Sequence, residues 1–272
     1  MPECTTYPYK LVEIGQLLHF RNRRGGLMKK KKVRRILLIL LIAFLIYSVS
    51  TFAYLYFNGM TMMHQVSDPK PGQIKVACVG DSITFGHGIK NWPQNNYPKL
   101  LSDKLGEEYH VQSFGVSGRA VQNDSDQPYT GLKFYGQSLE YDADIIVFMM
   151  GTNDSKPENW HDEEKFKEEL ISLLDSYLEG ENPPEMILCT PAASFFVNGE
   201  TSGVTSHDIQ PEVMPIIADV IREVAQERGY PLIDIYALTL ENPEWFAKDG
   251  VHPNNDGAAA IAEAVYSAIS EK

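Results

Sequence analysis

A serine, a histidine and an aspartate are spaced so that a folded chain could bring them together as a nucleophilic centre. Ser82 follows an apolar run, and His252 stands far downstream, three residues after Asp249. A serine hydroxyl becomes an effective nucleophile when an imidazole takes its proton and a carboxylate fixes the tautomer of that imidazole. The spacing of Asp249 and His252 lets a single turn present both side chains to one point. The sequence therefore predicts a nucleophile, a base and an orienting acid.

Two further polar segments follow strand-like runs between these ends of the chain. Residues 114–118 read Phe-Gly-Val-Ser-Gly, and residues 151–154 read Gly-Thr-Asn-Asp. Open α/β sheets place their sites at the carboxyl ends of strands. We therefore expect both segments to lie beside the serine.

These four segments, in this order, resemble the four blocks of the SGNH hydrolases, also called the GDSL esterase and lipase family. The family is named for Ser, Gly, Asn and His, one from each block. Residues 80–83 read Gly-Asp-Ser-Ile, with Ile where the family name has Leu. The resemblance covers residues 74–272, the length of one domain. One short motif recurs by chance, but four in order at strand ends, with the Asp-x-x-His tail, are a strong signal.

The resemblance implies a role for each matching residue. It assigns Ser82 as the nucleophile, and Asp249 and His252 as the other members of a catalytic triad. It also implies that Ser82, Gly115 and Asn153 donate hydrogen bonds in an oxyanion hole. The implied chemistry is ester hydrolysis through an acyl-enzyme, with no cofactor and no metal.

Each residue taken singly also has a purely structural explanation. Ser82 can cap the helix that follows it, and residues 252–256 can form a turn and an N-cap. Asp81 and Asp154 are interpreted as structural, hydrogen bonded to neighbouring loop amides. The catalytic prediction therefore depends on the joint pattern.

The substrate is indicated by the third block. Residues 151–160 resemble that block in family members that remove acetyl groups from carbohydrates, which implies an esterase acting on O-acetyl or other short acyl esters of a glycan. Trp92 and Trp160 fall in predicted loops, where their rings either bind substrate or close the edge of the core. The alternatives are a lysophospholipase or short-chain lipase, a catalytically silent glycan-binding module, and acyl transfer to an alcohol.

The charge of the chain is unevenly distributed. The formal net charge is −12, yet residues 1–35 hold ten basic and two acidic residues. The remaining chain is therefore strongly acidic, which argues against nucleic acid or an anionic membrane surface as its partner.

Cysteine and histidine give no sign of a metal site. Cys78 and Cys189 lie in apolar strand patterns, which predicts buried thiols, and in the strand order of the family another strand separates them. The cysteine spacing fits no zinc motif, and the seven histidines show no ligand cluster along the sequence. His87 and His207 are predicted to be surface residues.

An apolar segment precedes the acidic part of the chain. Residues 36–57 are 22 residues without a charge, enough to span the roughly 30 Å hydrocarbon core of a membrane. Residues 29–35 are basic, whereas residues 58–77 hold only Lys70 and Lys75 as basic groups. The positive-inside rule then predicts a cytoplasmic N-terminus and an extracytoplasmic enzyme. A cleaved signal peptide is the alternative, but its apolar region is normally about 7 to 15 residues.

These features divide the chain into a basic cytoplasmic segment over 1–35, a transmembrane anchor over 36–57, a linker over 58–73 and a hydrolase domain over 74–272. The codons just before Met28 could form a purine-rich ribosome-binding site, because the residues read Arg-Arg-Gly-Gly-Leu. We hypothesise that translation begins at Met28. A native protein whose N-terminal mass shows an earlier start would contradict this.

Apolar runs and amphipathic segments alternate through the hydrolase domain. This alternation predicts a three-layer α/β/α sandwich with a five-stranded parallel sheet, of the SGNH or flavodoxin-like kind, preceded by one transmembrane helix. The predicted strands lie near 74–80, 109–115, 143–150, 185–190 and 231–236. The predicted helices lie near 96–106, 164–179, 211–228 and 256–270.

Overall fold

The structure is a computed structural model that describes residues 30–60, 66–92, 94–179 and 182–271. The hypothesis of a start at Met28, and the cytoplasmic segment up to residue 29, lie outside the described residues. The chain divides into two compact units, the first ending at Asn58 and the second beginning at Gly59. The boundaries of the four predicted segments stay predictions.

The first unit includes most of one long helix, α1, over Lys30–Met60. Within it, the segment Lys32–Thr51 is long and apolar enough to cross a membrane, and no other helix in the described part of the chain is. Its apolar side chains, such as Ile39 and Phe44, are exposed. A signal sequence near an N-terminus can pass the same test of length and apolar composition, so the helix does not decide between a membrane span and a signal sequence.

The second unit is built on a five-stranded parallel sheet, as predicted. The strands are ordered β2-β1-β3-β4-β5 across the sheet. Their bounds are β1 Ile74–Gly80, β2 Tyr109–Gly115, β3 Ile145–Met149, β4 Glu185–Cys189 and β5 Leu232–Ile233.

Seven helices connect and cover these strands in the described part of the second unit. Five of them, α2, α3, α5, α7 and α8, each begin after an asparagine or aspartate whose side chain accepts a backbone N–H of the first turn. The bounds are α2 Ser82–Phe85, α3 Tyr97–Leu105, α4 Lys133–Glu140, α5 Glu163–Ser176, α6 Met214–Arg228, α7 Ile235–Leu240 and α8 Asn255–Ser270.

The sheet is buried on both faces. In β3 the side chains of Ile146 and Phe148 pack into a core with α4, α5 and α6, whereas Val147 and Met149 pack into a second core with α3, α7 and α8. Because both faces of the strand are covered, its sequence is apolar throughout instead of alternating. The fold is therefore the three-layer α/β/α sandwich that the sequence predicts.

The fifth strand is shorter than predicted. The run 231–236 reads as a strand, but β5 has two residues, and α7 begins at Ile235. Asp234 ends the strand because its side chain accepts the N–H of Ala237 and caps α7. Arg222 on α6 donates a hydrogen bond to Oδ1 of the same carboxylate at 2.9 Å.

The two cysteines of the sheet are free thiols. Cys78 lies on β1 and Cys189 on β4, with β3 between them, as the predicted strand order requires. Burial raises the pKa of the Cys78 thiol to about 12. The thiols therefore act as small apolar core groups.

The carboxyl ends of three neighbouring strands, β2, β1 and β3, lie at the same level in the sheet. Gly80 of β1 is in register with Gly115 of β2 on one side and with Met149 of β3 on the other. A Cβ on Gly80 would lie 2.7 Å from the carbonyl oxygen of Met149 and 2.0 Å from Oγ1 of Thr84. Glycine at this position therefore lets the chain turn directly from β1 into α2.

Two buried carboxylates hold the loops at this edge of the sheet, as predicted for structural residues. Asp81 accepts the N–H of Ile83 at 2.9 Å and caps α2. Asp154 accepts the N–H groups of Val121 and Gln122, each at 3.0 Å. Burial outweighs these hydrogen bonds and raises the pKa of each carboxyl to about 6.

The raised pKa of Asp81 makes stability depend on pH. The carboxyl of an unfolded aspartate has a pKa of about 3.9, so the folded chain holds this proton more tightly. The stabilisation is present below pH 4 and is lost as pH rises through about 6. We expect Asp81→Asn to remove this decline, so that the variant gains up to about 3 kcal/mol of unfolding free energy relative to wild type between pH 4 and 7.

Urea unfolding of the full-length chain in non-ionic detergent, at several pH values, measures this difference. Asp162→Asn is the matched control, because Asp162 also caps a helix but is exposed to water. The control is expected to follow the wild-type pH dependence. Parallel pH dependence of Asp81→Asn and wild type would contradict the prediction.

Candidate active site

The predicted nucleophile stands at the first turn of α2. Asp81 caps the helix, Ser82 is its first residue, and Gly86 ends it in the left-handed conformation, with φ of 92°. The Ser82 hydroxyl lies 2.9 Å from Nε2 of His252, although 170 residues separate them in the sequence. Both side chains are buried.

The histidine is oriented by one carboxylate that contacts it twice. Oδ1 of Asp249 accepts the backbone N–H groups of Val251 and His252, each at 3.0 Å. Oδ2 lies 2.7 Å from Nδ1 of the His252 ring. Asp249 therefore fixes both the turn and the ring, and it leaves Nε2 directed at Ser82.

The environment of Asp249 favours its charged form. Burial by itself would raise the pKa of the carboxyl. The hydrogen bonds from the His252 ring and from the two backbone N–H groups outweigh burial, and they hold the pKa of Asp249 well below its usual range. A permanent negative charge beside Nδ1 stabilises an imidazolium at His252.

The pair of Ser82 and His252 opens on a cavity of about 330 Å³. Ile209 and Val251 are the two aliphatic residues among those that line it. The polar residues that line it come from five loops and carry hydroxyl, amide, imidazole, amine and carboxylate groups: Ser82, His87, Ser117, Gln127, Thr152, Asn153, Lys156, His207, Asp208 and His252.

Asn153 is held at the cavity by a short 3-10 turn after β3, over Asn153–Ser155. Its carbonyl oxygen accepts the amide of Asn159 at 2.8 Å. Its own Nδ2 donates to the carbonyl of Arg119 at 3.0 Å and lies 3.5 Å from Oδ2 of Asp81. The second of these distances is long for a hydrogen bond, so one N–H of Asn153 is available to a group in the cavity.

Gly115 does not occupy the place predicted for it. It is the last residue of β2, and a Cβ there would lie 2.3 Å from the backbone nitrogen of Phe85. Because Gly115 has no side chain, the backbone of α2 packs directly against it, and Gly115 is not among the residues that line the cavity. The glycine of this segment that lines the cavity is Gly118, with φ of 79°. The N–H of Gly118 has no hydrogen-bond partner among the described residues.

The two tryptophans proposed to contact substrate pack against other side chains and are not among the residues that line the cavity. Trp92 stacks on Phe85 at 4.9 Å and donates its indole N–H to the carbonyl of the same residue. Trp160 packs against the core beside Phe166. Their geometry favours the alternative that these rings close the edge of the core.

The fold brings together three histidines that show no cluster along the sequence. One ring nitrogen from each of His87, His207 and His252 lies within 4.8 Å of the others. The ring of His252 is 4.3 Å from that of His87 and 5.0 Å from that of His207, centroid to centroid. The three histidines are far apart in sequence and lie on different loops, so spacing along the chain gives no sign of the cluster.

Other residues that line the cavity were also not predicted from the sequence. Lys156 is largely buried and donates to Asp126 at 3.0 Å, which places an ion pair at the wall of the cavity. Gln127 lies beside Gly118, 3.2 Å from a Cβ built on that glycine. The Ser-Gly pair at 117–118 could have indicated that Gly118 lies at the site, because a glycine in a loop after a strand allows positive φ.

Comparison with known proteins places this geometry in a family. An acetylxylan esterase from Xylanibacter ruminicola is 34% identical over 224 residues, which are 76% of this chain and 45% of that protein. A GDSL lipase from Mycobacterium tuberculosis is 27% identical over 204 residues, 72% of this chain and 81% of that protein. The chain thus spans less than half the length of the first of these relatives.

The solved structure of a carbohydrate acetylesterase from Sinorhizobium meliloti has the same fold. It superimposes with a TM-score of 0.58 at 15% identity, over 73% of this chain and 99% of that one. The sequence profile of the GDSL-like Lipase/Acylhydrolase family matches residues 78–260, which include the segments of Ser82, Asn153 and His252. The chain therefore belongs to the GDSL-like lipase/acylhydrolase family.

Proposed function

We propose that the protein is a serine esterase that hydrolyses acetyl or other short acyl esters of carbohydrate. The observation that carries the proposal is the continuous chain of contacts from Ser82 Oγ to His252 Nε2, at 2.9 Å, and from His252 Nδ1 to Asp249 Oδ2, at 2.7 Å. This chain of contacts opens on a small cavity that is lined by ten polar residues.

The reaction begins with proton transfer from the serine. Nε2 of His252 takes the proton of Ser82, and Oγ attacks the ester carbonyl to form a tetrahedral intermediate. The imidazolium is stabilised by the charge of Asp249 and then gives its proton to the departing alcohol. Water, activated by His252 in the same way, releases the acid and restores Ser82.

The negative charge on the tetrahedral intermediate needs donors in the cavity. We assign the backbone N–H groups of Ser82 and Gly118 and the amide of Asn153, with Gly118 in place of the predicted Gly115. The N–H of Ser82 belongs to the first turn of α2, where no helical acceptor exists. Loss of one such donor typically costs about 3 kcal/mol of transition-state stabilisation.

The shape and polarity of the cavity support a short acyl group on a polar alcohol. A volume of about 330 Å³ lies at the lower end of the usual range of ligand sites, about 300–1,000 Å³. Ile209 and Val251 are the two aliphatic residues that an acyl chain would meet there. The names of the acetylxylan esterase and of the carbohydrate acetylesterase agree with a glycan as the alcohol half.

A lysophospholipase or short-chain lipase is the second candidate, because the relative from Mycobacterium tuberculosis is named a lipase. The polar lining of the cavity favours the carbohydrate ester. The other two alternatives predict different products. A silent binding module would release no acid, and an acyltransferase would form a new ester when a sugar acceptor is added.

We expect the full-length protein, purified in non-ionic detergent, to release acetate from acetylated xylan and to cleave p-nitrophenyl acetate faster than the butyrate, with little cleavage of the palmitate. Lysophosphatidylcholine serves as the lipase substrate in the same panel. Ser82→Ala is expected to lose nearly all turnover on each substrate, because the acyl-enzyme can no longer form.

The panel also separates the candidates. Faster Ser82-dependent cleavage of long acyl chains or of lysophosphatidylcholine would contradict the carbohydrate assignment and support the lipase. Turnover that survives in Ser82→Ala, or no turnover at all, would contradict the assignment of the nucleophile.

We also propose that α1 anchors the protein in the cell membrane as a single span. The basic residues at 29–35 then lie in the cytoplasm and the hydrolase domain lies outside. An anchored chain is expected to stay in the membrane fraction after alkaline carbonate extraction, and protease added to intact spheroplasts is expected to digest the hydrolase domain. A soluble chain whose first residue lies after Phe57 would instead identify a cleaved signal peptide.

A further inference from the structure

We propose that His87, His207 and His252 form a binding site for a divalent transition-metal ion such as zinc, and that the bound ion reversibly inhibits the esterase. The inhibition rests on the proposed role of His252 as the base, whereas the binding does not. Three imidazole nitrogens are a ligand set that zinc takes in proteins, with a further position left to water or substrate.

The distances between the three nitrogens suit this site. They lie within 4.8 Å of one another. Nitrogens that bind one zinc ion at about 2.0–2.1 Å in a tetrahedron lie about 3.4 Å apart, so the rings need to close by roughly 1.4 Å at most. The side chain of His207 is half exposed, so packing does not enclose its ring on every side.

The loops that carry the outer histidines are fixed by contacts of their own. The loop of His87 continues to Lys90, whose N–H and carbonyl both bond the side chain of Asn255 at the start of α8. The loop of His207 is closed by Thr205, which donates its N–H to Ile209 at 2.7 Å. The cluster therefore does not arise from two free surface side chains.

The third ligand already has the outer contact that is typical of metal-binding histidines. Such a histidine usually donates its second ring N–H to a carboxylate, which fixes the tautomer and makes the free nitrogen a better ligand. Asp249 Oδ2 lies 2.7 Å from Nδ1 of His252, so the lone pair is on Nε2, which lies 2.9 Å from Ser82 Oγ at the wall of the cavity. The carboxylate also lies 3.6 Å from Nε2 of His207 and adds negative charge beside the ion.

Binding and catalysis compete for the same lone pair. Nε2 of His252 takes the proton of Ser82 in the proposed reaction. A metal ion on Nε2 occupies that lone pair, and the hydroxyl proton of Ser82 then has no acceptor. A chelator restores activity by removing the ion, because no covalent bond of the protein changes.

Zinc titration of the full-length, tag-free protein tests the site directly. Isothermal titration calorimetry of the chelator-treated protein is expected to show one zinc ion per chain. Cobalt is expected to give the visible absorption of a four- or five-coordinate site. His87→Gln and His207→Asn are expected to weaken zinc binding by at least about tenfold. Loss of an outer-shell partner typically weakens metal binding by about 10- to 100-fold, and loss of a direct ligand is expected to cost at least the lower of these values. Asn suits position 207 because φ is 62° there.

His161→Gln is the matched control, because His161 is exposed and pairs with Asp124 outside the cluster. It is expected to bind zinc as the wild type does. Circular dichroism checks the fold of each variant, and His87→Gln tests the site even where His207→Asn does not fold. Zinc affinity unchanged in both cluster variants would overturn the proposal, as would variants that only raise the KM for the glycan.

Inhibition is measured as the rate of p-nitrophenyl acetate hydrolysis against zinc concentration, relative to the metal-free rate of each variant. The inhibition constant is expected to rise by about tenfold or more in the cluster variants, in parallel with the dissociation constant. Zinc that binds through the histidines of an active enzyme without slowing it would overturn the inhibitory role. A protein without any esterase activity would contradict the proposed function, while calorimetry would still decide the binding.

Discussion

The candidate site depends on the close approach of α2 to the level ends of three parallel strands. Gly80, Gly115 and Met149 are in register, so the segments that follow β1, β2 and β3 leave the sheet at the same edge. A Cβ on Gly80 or Gly115 would overlap the strand or the backbone of α2. The absence of two side chains therefore positions Ser82 at the sheet edge beside Asn153 and Gly118.

The pKa values of two carboxylates near this centre are shifted in opposite directions. Burial raises the pKa of Asp81 to about 6, so that it is easily protonated. Hydrogen bonds keep Asp249 charged, because three N–H groups outweigh the effect of burial. The difference gives them separate functions: Asp81 shapes the turn that carries the nucleophile, and Asp249 supplies the charge that an imidazolium at His252 requires.

Much of the fold could be predicted from the sequence because its signals are local. The continuous apolar run of β3 predicts a strand buried on both faces, and the level strand ends place the polar segments together. The end of β5 could not be predicted, since Asp234 caps α7 and also pairs with Arg222 from a distant helix. The helices α4 and α7 were missed as well, because both are short.

The residues around the proposed triad were harder to find than the triad itself. Gly115 and Gly118 both follow β2, and only the packing of α2 shows which of them faces the cavity. His87 and His207 reach His252 through loops whose paths are set by contacts with distant residues. Tertiary contacts of this kind leave no periodicity and no spacing in the sequence.

The central claim is that Ser82, activated by His252, is the nucleophile. An alkyl fluorophosphonate tests it, because attack by Oγ forms a P–O bond and releases fluoride. Peptide mapping is expected to find one adduct, on Ser82, and His252→Ala is expected to form it far more slowly. Ser117 is the informative rival, since it lines the same cavity and its buried Oγ has no hydrogen-bond partner in the described structure. An adduct on Ser117, or unchanged labelling of His252→Ala, would contradict the account.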